Sequence, residues 1–153
     1  METPHTIVMG LRLTLHDGDR VLLDLPLSSG EWDSETRSTL ARELADVESD
    51  LDRICEVCDF FSNKRRLQMV SHMVREGDTS ASFTDLLRVA LNPKYISDMV
   101  NRAPRRGFVV KDQHGYRVSP AGLGSFLLLS LGTRKLWEEL DSINNDDKSF
   151  EED

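Results

Sequence analysis

The sequence lacks the features that would place it in a membrane or on a secretory route. It contains no apolar run of about 18 residues, so no segment is predicted to span a bilayer. The opening METPHTIVMG has no basic stretch followed by an apolar one, so no secretory signal is predicted. The chain has only 2 cysteines, which together with the missing signal predict a cytoplasmic protein in a reducing setting.

Signatures of the common enzyme classes are also missing. We find no glycine-rich phosphate loop, no nucleophile elbow and no paired carboxylates in an apolar setting. His5, His16 and His72 are scattered along the chain, without the spacing of metal ligands. We therefore predict that the protein is not an enzyme and uses no cofactor or metal.

Charge is distributed unevenly, although the net charge of the 153 residues is -8. Residues 1–61 hold 5 Lys or Arg against 14 Asp or Glu, and residues 119–153 hold 3 against 8. Residues 62–118 reverse the balance, with 11 basic residues against 5 acidic ones. A positive block between two negative ones indicates a local site for an anion such as nucleic acid, although ordinary surface variation gives the same totals.

Residues 1–61 are predicted to form a β-hairpin followed by one long helix. The strands IVMGLRLTL (7–15) and VLLDLPL (21–27) flank HDGDR. Their apolar rows share a face if Leu15 opposes Val21, Leu13 opposes Leu23 and Leu11 opposes Leu25, which requires the three-residue loop Asp17-Gly18-Asp19.

The long helix is predicted to run from a cap at Asp33 or Ser34 to about Ser62. Its apolar residues follow the heptad spacing of a coiled coil, namely Leu40, Leu44, Val47, Leu51, Ile54, Cys58 and Phe61. This spacing predicts either a dimer seam or a long helix buried under the hairpin, and we favour the dimer.

The middle of the chain, residues 62–122, is predicted to form three helices and a second hairpin. Helices are expected over 63–76, over 82–90 with Ser82 as cap, and from Asn92-Pro93 to a stop before Pro104. Strands GFVVK and GYRVS follow, joined around 112–114. Ser119-Pro120 opens a last helix, over 123–143, with a break or kink at Gly132-Thr133, and residues 144–153 are predicted to be a disordered acidic tail.

That order of elements resembles the winged helix-turn-helix regulators of the ArsR and MarR type, including their archaeal relatives, over residues 60–122. FFSNKRRLQMVSHMVREG is similar to the first helix of the family, FTDLLRVALNPKYISDMVNRAPRRGFVV to its helix-turn-helix and entry into the wing, and YRVSPAG to the exit strand. The resemblance implies a mainly α fold with a small sheet (α+β). It also implies a homodimeric transcriptional regulator that binds double-stranded DNA sequence-specifically.

A recognition helix needs one apolar row that anchors it and one polar face for bases and phosphates. Ile96, Met99 and Val100 fit the first requirement. Arg66, beside two other basic residues, is expected to reach flanking phosphates. The residues that we predict to contact DNA are Lys64, Arg65, Lys94, Tyr95, Ser97, Asn101, Arg102, Arg105, Arg106, Lys111, His114 and Arg117.

Cys55 and Cys58 lie one helical turn apart, and a single such pair cannot complete a tetrahedral zinc site. Structural cysteines are therefore favoured, while a shared site across a dimer or a redox sensor stays open. The main alternative function is a winged helix that binds proteins within a larger complex and does not read DNA. A third possibility is a sensor gated by a ligand or by redox state.

Overall fold

The computed structural model describes residues 10–101 and 107–149, and it is mainly helical with small antiparallel sheets. Its contacts divide the chain into two compact units, one formed by Leu51–Thr133 and the other by the residues on either side of that stretch. The strands are β1 Arg12–Asp17, β2 Arg20–Pro26, β3 Ser80–Ala81, β4 Val109–Asp112 and β5 Gly115–Val118. The helices are α1 Ser34–Val47, α2 Leu51–Phe61, α3 Lys64–Glu76, α4 Phe83–Ala90, α5 Pro93–Asn101 and α6 Pro120–Ser149.

The first hairpin, β1–β2, turns more tightly than the sequence predicts. Asp17 pairs with Arg20, so Gly18 and Asp19 alone form the turn, and the predicted three-residue loop is wrong. Gly18 has φ 58°, a left-handed conformation that glycine adopts without a steric cost.

A shift in register next to this turn restores the apolar face of the hairpin. The irregularity lies between Leu15 and the following residue, so that Leu15 opposes Leu23 and Leu13 opposes Leu25. The predicted partners were each two residues closer to the turn. Because the shift keeps the alternation of faces, the leucines of the two strands still share one side of the ribbon.

The predicted single helix over 34–62 is interrupted. Glu48–Asp50 forms a 3₁₀ turn between α1 and α2, and the Ser49 hydroxyl donates a hydrogen bond to the Asp46 carbonyl at 2.7 Å. Such a side-chain bond to the backbone competes with α-helical pairing. Three residues of the predicted seam are well exposed in the single chain, at 59 % for Leu44, 46 % for Leu51 and 41 % for Ile54.

The unit Leu51–Thr133 contains a three-stranded antiparallel sheet with the order β3-β5-β4. β3, which the sequence analysis did not predict, joins the sheet through a tight loop after α3. Asp78 and Thr79 both have positive φ, at 53° and 67°. The backbone N–H and the carbonyl of Thr79 both form hydrogen bonds. Its N–H donates to Met73 O at 2.9 Å and its carbonyl accepts from Val118 N at 2.8 Å, so the loop connects α3 to β5 through hydrogen bonds.

One hydrophobic core holds this unit together. Residues from α2 to α6 contribute, and four phenylalanines and one tyrosine lie among aliphatic side chains and methionines. The buried members are Phe60, Phe61, Met69, Val70, Met73, Leu86, Ala90, Ile96, Met99, Phe108, Val109, Tyr116, Val118 and Phe126.

Helix α6 is longer than predicted. It continues through Gly132-Thr133, where a break or kink was expected, and ends at Ser149. Residues 144–149 are therefore helical, whereas the sequence predicted that the disordered tail begins at 144. In the part of the chain that the structure describes, no helix combines the length and the apolar character needed to cross a bilayer.

Candidate nucleic-acid interface

A tight turn between α4 and α5 positions the candidate recognition helix. Leu91 ends α4 in a left-handed conformation, with φ 63°, and its N–H donates to Leu87 O at 2.8 Å. Asn92 then caps α5, because its Oδ1 accepts from Lys94 N at 2.9 Å and its carbonyl accepts from Tyr95 N at 3.2 Å. The sequence-predicted start of this helix is confirmed.

The two faces of α5 differ sharply in burial. Ile96 and Met99 are completely buried in the core, as predicted. Lys94, Tyr95 and Ser97 are exposed on the first turns of the helix. The anchored side and the exposed polar side are those that a helix reading a DNA groove requires.

The last candidate residues of this region are divided by the limit of the structure. Asn101 is the final residue of α5. Arg102, Arg105 and Arg106 lie outside the described residues, so their predicted DNA contacts have no structural counterpart here.

The hairpin β4–β5 carries the other predicted contacts. Lys111, His114 and Arg117 are all exposed on it. The Asp112 carboxylate accepts a hydrogen bond from His114 N at 2.8 Å and thereby shapes the turn. Lys111 lies opposite Tyr116 in the sheet, with its Nζ 5.9 Å from the centre of the tyrosine ring.

The basic residues at the start of α3 have three different environments. Lys64 is exposed, whereas Arg65 is half-buried and donates from Nη1 to Val89 O at 3.3 Å. Arg66 is buried, with Nε 2.6 Å from Phe60 O, so the expectation that it reaches flanking phosphates is wrong. The sequence does not distinguish these three neighbours, because only the tertiary fold decides which one turns inward.

All the described candidates belong to one unit, and the elements that carry them are neighbours. Helix α5 contacts α3, α4 and β4, while β4 is paired with β5. The described basic residues of the positively charged stretch 62–118 therefore lie on elements that share a single hydrophobic core.

A small polar cup beside α5 was not predicted. It has a volume of about 260 Å³, and its lining includes the carboxylates of Asp59 and Asp98 together with the exposed Tyr95. The remaining lining residues are Ser62, Asn63 and Arg66. Two acidic side chains, one of them on α5 itself, restrict where a phosphate could approach this candidate recognition helix.

A second feature that the sequence did not predict is a groove of about 540 Å³ along α3. Its basic residues are Lys64, Arg65, His72 and Arg75, and its apolar residues are Leu67, Val89 and Phe126. Gln68, Ser71 and Ser130 complete the lining. No short sequence pattern indicates this groove, because its walls come from three separate helices, α3, α4 and α6.

Cys55 and Cys58 are both exposed and are not joined in a disulfide. Within residues 10–101 and 107–149, no three histidine, cysteine or acidic side chains are grouped as metal ligands. Cys58 is exposed in the single chain although it occupies a position of the predicted seam, and a structural role for the two cysteines stays a prediction.

With the geometry of the site in view, comparison with known proteins adds no relative. No protein-family model, curated protein or solved structure matches the chain. The functional assignment therefore depends on the residues and their arrangement alone.

Proposed function

We propose that residues 64–118 form a winged helix-turn-helix and that the protein binds double-stranded DNA through α5 and the hairpin β4–β5. The element order helix, strand, helix, helix, strand, strand supports this proposal, as does the pairing of β3 with β5. In this arrangement α5 is the recognition helix and β4–β5 is the wing.

The observation that carries the proposal is the division of α5 into two faces. Ile96 and Met99 fix the helix in the core, while Lys94, Tyr95 and Ser97 stay accessible near its N-terminus. Lysine can neutralise a phosphate, and tyrosine and serine can hydrogen-bond to phosphates or base edges. Lys111 and Arg117 on the wing would add sequence-independent phosphate contacts.

A homodimeric transcriptional regulator is part of the same proposal. Leu51 and Ile54 of α2 expose apolar side chains at heptad positions. A second copy would remove these side chains from water. Two recognition helices related by a two-fold axis would then read two DNA half-sites.

The test is a fluorescence-anisotropy titration of the full chain against duplex DNA over a salt series. We expect the logarithm of the association constant to fall linearly with the logarithm of salt concentration. Lys94→Ala and Arg117→Ala should each weaken binding, and each should make that slope shallower by about 1. Arg20→Ala, which removes an exposed arginine from the first hairpin, is the matched control and should leave affinity and slope unchanged.

Unchanged affinity in both the Lys94 and the Arg117 variant would refute the docking of α5 and the wing on DNA. Sequence specificity is tested separately by selecting bound fragments from a random duplex pool. An enriched motif with two half-sites would support the homodimeric regulator, whereas equal recovery of all sequences would contradict it.

A protein-interaction module that does not read DNA is the second candidate function, and the polar cup beside α5 favours it. Asp59 and Asp98 lie in the same cup as Tyr95, where they would repel phosphates that approach this side of α5. No measurable DNA binding even at low salt is the result that selects this candidate.

A further inference from the structure

The groove along α3 combines a basic rim with an apolar floor, although the net charge of the protein is -8. Four of its ten lining residues are Lys, Arg or His, and none is acidic. Its floor contains Leu67, Val89 and Phe126, which are buried or half-buried. We propose that this groove is a docking site for an acidic amphipathic helix of a partner protein.

The spacing of the lining residues on α3 fits an elongated ligand. Lys64, Gln68, His72 and Arg75 follow one another at intervals of three or four positions, so they lie on one face of the helix. From the first to the last of them the helix axis advances about 16 Å, which is the length of three helical turns. Charges spread over that distance fit the acidic flank of a helix better than a single carboxylate.

The apolar floor distinguishes this groove from a surface for the phosphate backbone. Phe126 and Ser130 lie one turn apart on α6 and face the groove, and Val89 approaches from the end of α4. Ser130 Oγ donates to Phe126 O at 2.6 Å, so its hydroxyl proton is already used within α6. Apolar side chains between two helices accept leucines at i, i+3 and i+7 of a bound helix, whereas phosphates gain nothing from them.

The cations differ in how freely they can meet a ligand. The side chain of Arg75 is 70 % exposed, and its Nε lies 3.2 Å from the Glu76 carboxylate. Arg65 already donates one hydrogen bond to Val89 O. A partner carboxylate would therefore compete with Glu76 for Arg75. Removing the charge of Glu76 should for this reason strengthen the binding of the partner, whereas removing the charge of Arg75 should weaken it.

Helix docking at this groove does not depend on DNA binding by α5. Lys64 and Arg65 are predicted DNA contacts as well as lining residues. The test variants are therefore placed at Arg75 and Gln68, which line the groove but are not predicted to contact DNA. Both residues are exposed on α3, and their replacement leaves the core intact.

The probe is a labelled peptide of about four helical turns, with leucines at i, i+3, i+4 and i+7 and glutamates on the flanks. Its anisotropy is measured with the full chain. We expect saturable binding, weakened about tenfold by the double variant Gln68→Glu/Arg75→Glu and strengthened about twofold by Glu76→Gln. Arg20→Glu reverses one arginine charge outside the groove and should leave the affinity unchanged.

Two control peptides define the chemistry of the ligand. One has lysine in place of every glutamate, and the other has the same composition in an order that is not amphipathic. Both should bind at least tenfold more weakly than the probe. Equal binding of either control, or equal binding of the probe to the double variant, would overturn the proposal.

Two other occupants give recognisable results that would also overturn it. If duplex DNA displaces the peptide, and the double variant loses DNA affinity as strongly as peptide affinity, the groove is part of the DNA surface. If the peptide binds only while dissociating an oligomer, detected by light scattering, the groove is covered by a second copy. Loss of DNA binding in Lys94→Ala with peptide binding retained separates this site from α5.

Discussion

The guanidinium group of Arg66 lies over the ring of Phe60, 5.5 Å from its centre, and donates a hydrogen bond to the carbonyl of the same residue at 2.6 Å. A second bond reaches Asp59 O at 3.0 Å. Both acceptors belong to the last turn of α2, where carbonyl groups have no partner within the helix. A buried cation on α3 thus caps the end of α2 and joins the two helices.

Replacing Arg66 by alanine should destabilise the unit Leu51–Thr133 strongly. The change leaves two carbonyl groups of α2 without their charged donor and removes the cation from the ring of Phe60. We expect a loss of about 2–3 kcal/mol in the free energy of unfolding, measured by urea denaturation. Arg88→Ala, at an arginine whose side chain is 78 % exposed, should change it by less than about 0.5 kcal/mol.

Gly115 and Gly124 should respond to alanine in opposite directions. A Cβ at Gly115 would lie 2.6 Å from Ala81 O, and its φ of 133° is unfavourable for other residues, so Gly115→Ala should weaken the β3–β5 pairing. A Cβ at Gly124 would meet nothing within 4 Å inside α6. We expect a loss of about 1–3 kcal/mol for the first variant and a gain of about 0.5–1 kcal/mol for the second. Thermal denaturation followed by circular dichroism should show a lower melting temperature for Gly115→Ala and a higher one for Gly124→Ala.

The left-handed conformation of Leu91 predicts which substitutions the turn before α5 tolerates. Its side chain is 71 % exposed, so little burial is lost when it is changed. Leu91→Gly should leave the melting temperature unchanged or slightly raised, because glycine adopts φ 63° without strain. Leu91→Val should lower stability by about 1 kcal/mol, since β-branched residues disfavour positive φ. A lower melting temperature for the glycine variant than for the valine variant would contradict the left-handed backbone conformation of residue 91.

The ion pair between Arg12 and Asp24 should be visible in an acid titration. Arg12 Nε lies 2.8 Å from Asp24 Oδ1, and this hydrogen bond lowers the pKa of the Asp24 carboxyl from its ordinary value of 3.8. Because the folded chain favours the carboxylate, the pair stabilises the hairpin at neutral pH, and that contribution is lost as the pH falls through the lowered pKa. Carboxyl NMR should show the pKa rising toward its ordinary value in Arg12→Gln, but not in Arg20→Gln.

The starts of α4 and α5 were predictable because local chemistry determines them. Ser82 Oγ accepts from Asp85 N at 3.2 Å, and Asn92 and Pro93 begin α5 as their residue types predict. The burial of Ile96 and Met99 followed from their spacing alone. The polar face of α5 could be assigned on the same basis.

Other features depend on contacts that no local pattern reveals. The two residues of β3 are too few to show an alternating pattern, and their strand conformation depends on pairing with β5. The break expected at Gly132-Thr133 is absent because glycine inside a helix costs only about 1 kcal/mol, which the many other residues of a long helix can offset. The inward turn of Arg66, unlike its neighbours, depends on the position of α2.

The loop between α3 and β3 restricts how the chain can vary in length. A Cβ at Gly77 would collide with Ser80 O, and the next two residues both have positive φ. Because Thr79 O accepts from Val118 N, one inserted residue here would pull β3 out of alignment with β5. Descendants of a common ancestor should therefore retain the separation between Gly77 and Ala81 even after most surface residues have changed. A constant loop length together with an invariant glycine at position 77 would therefore indicate homology more reliably than overall sequence identity.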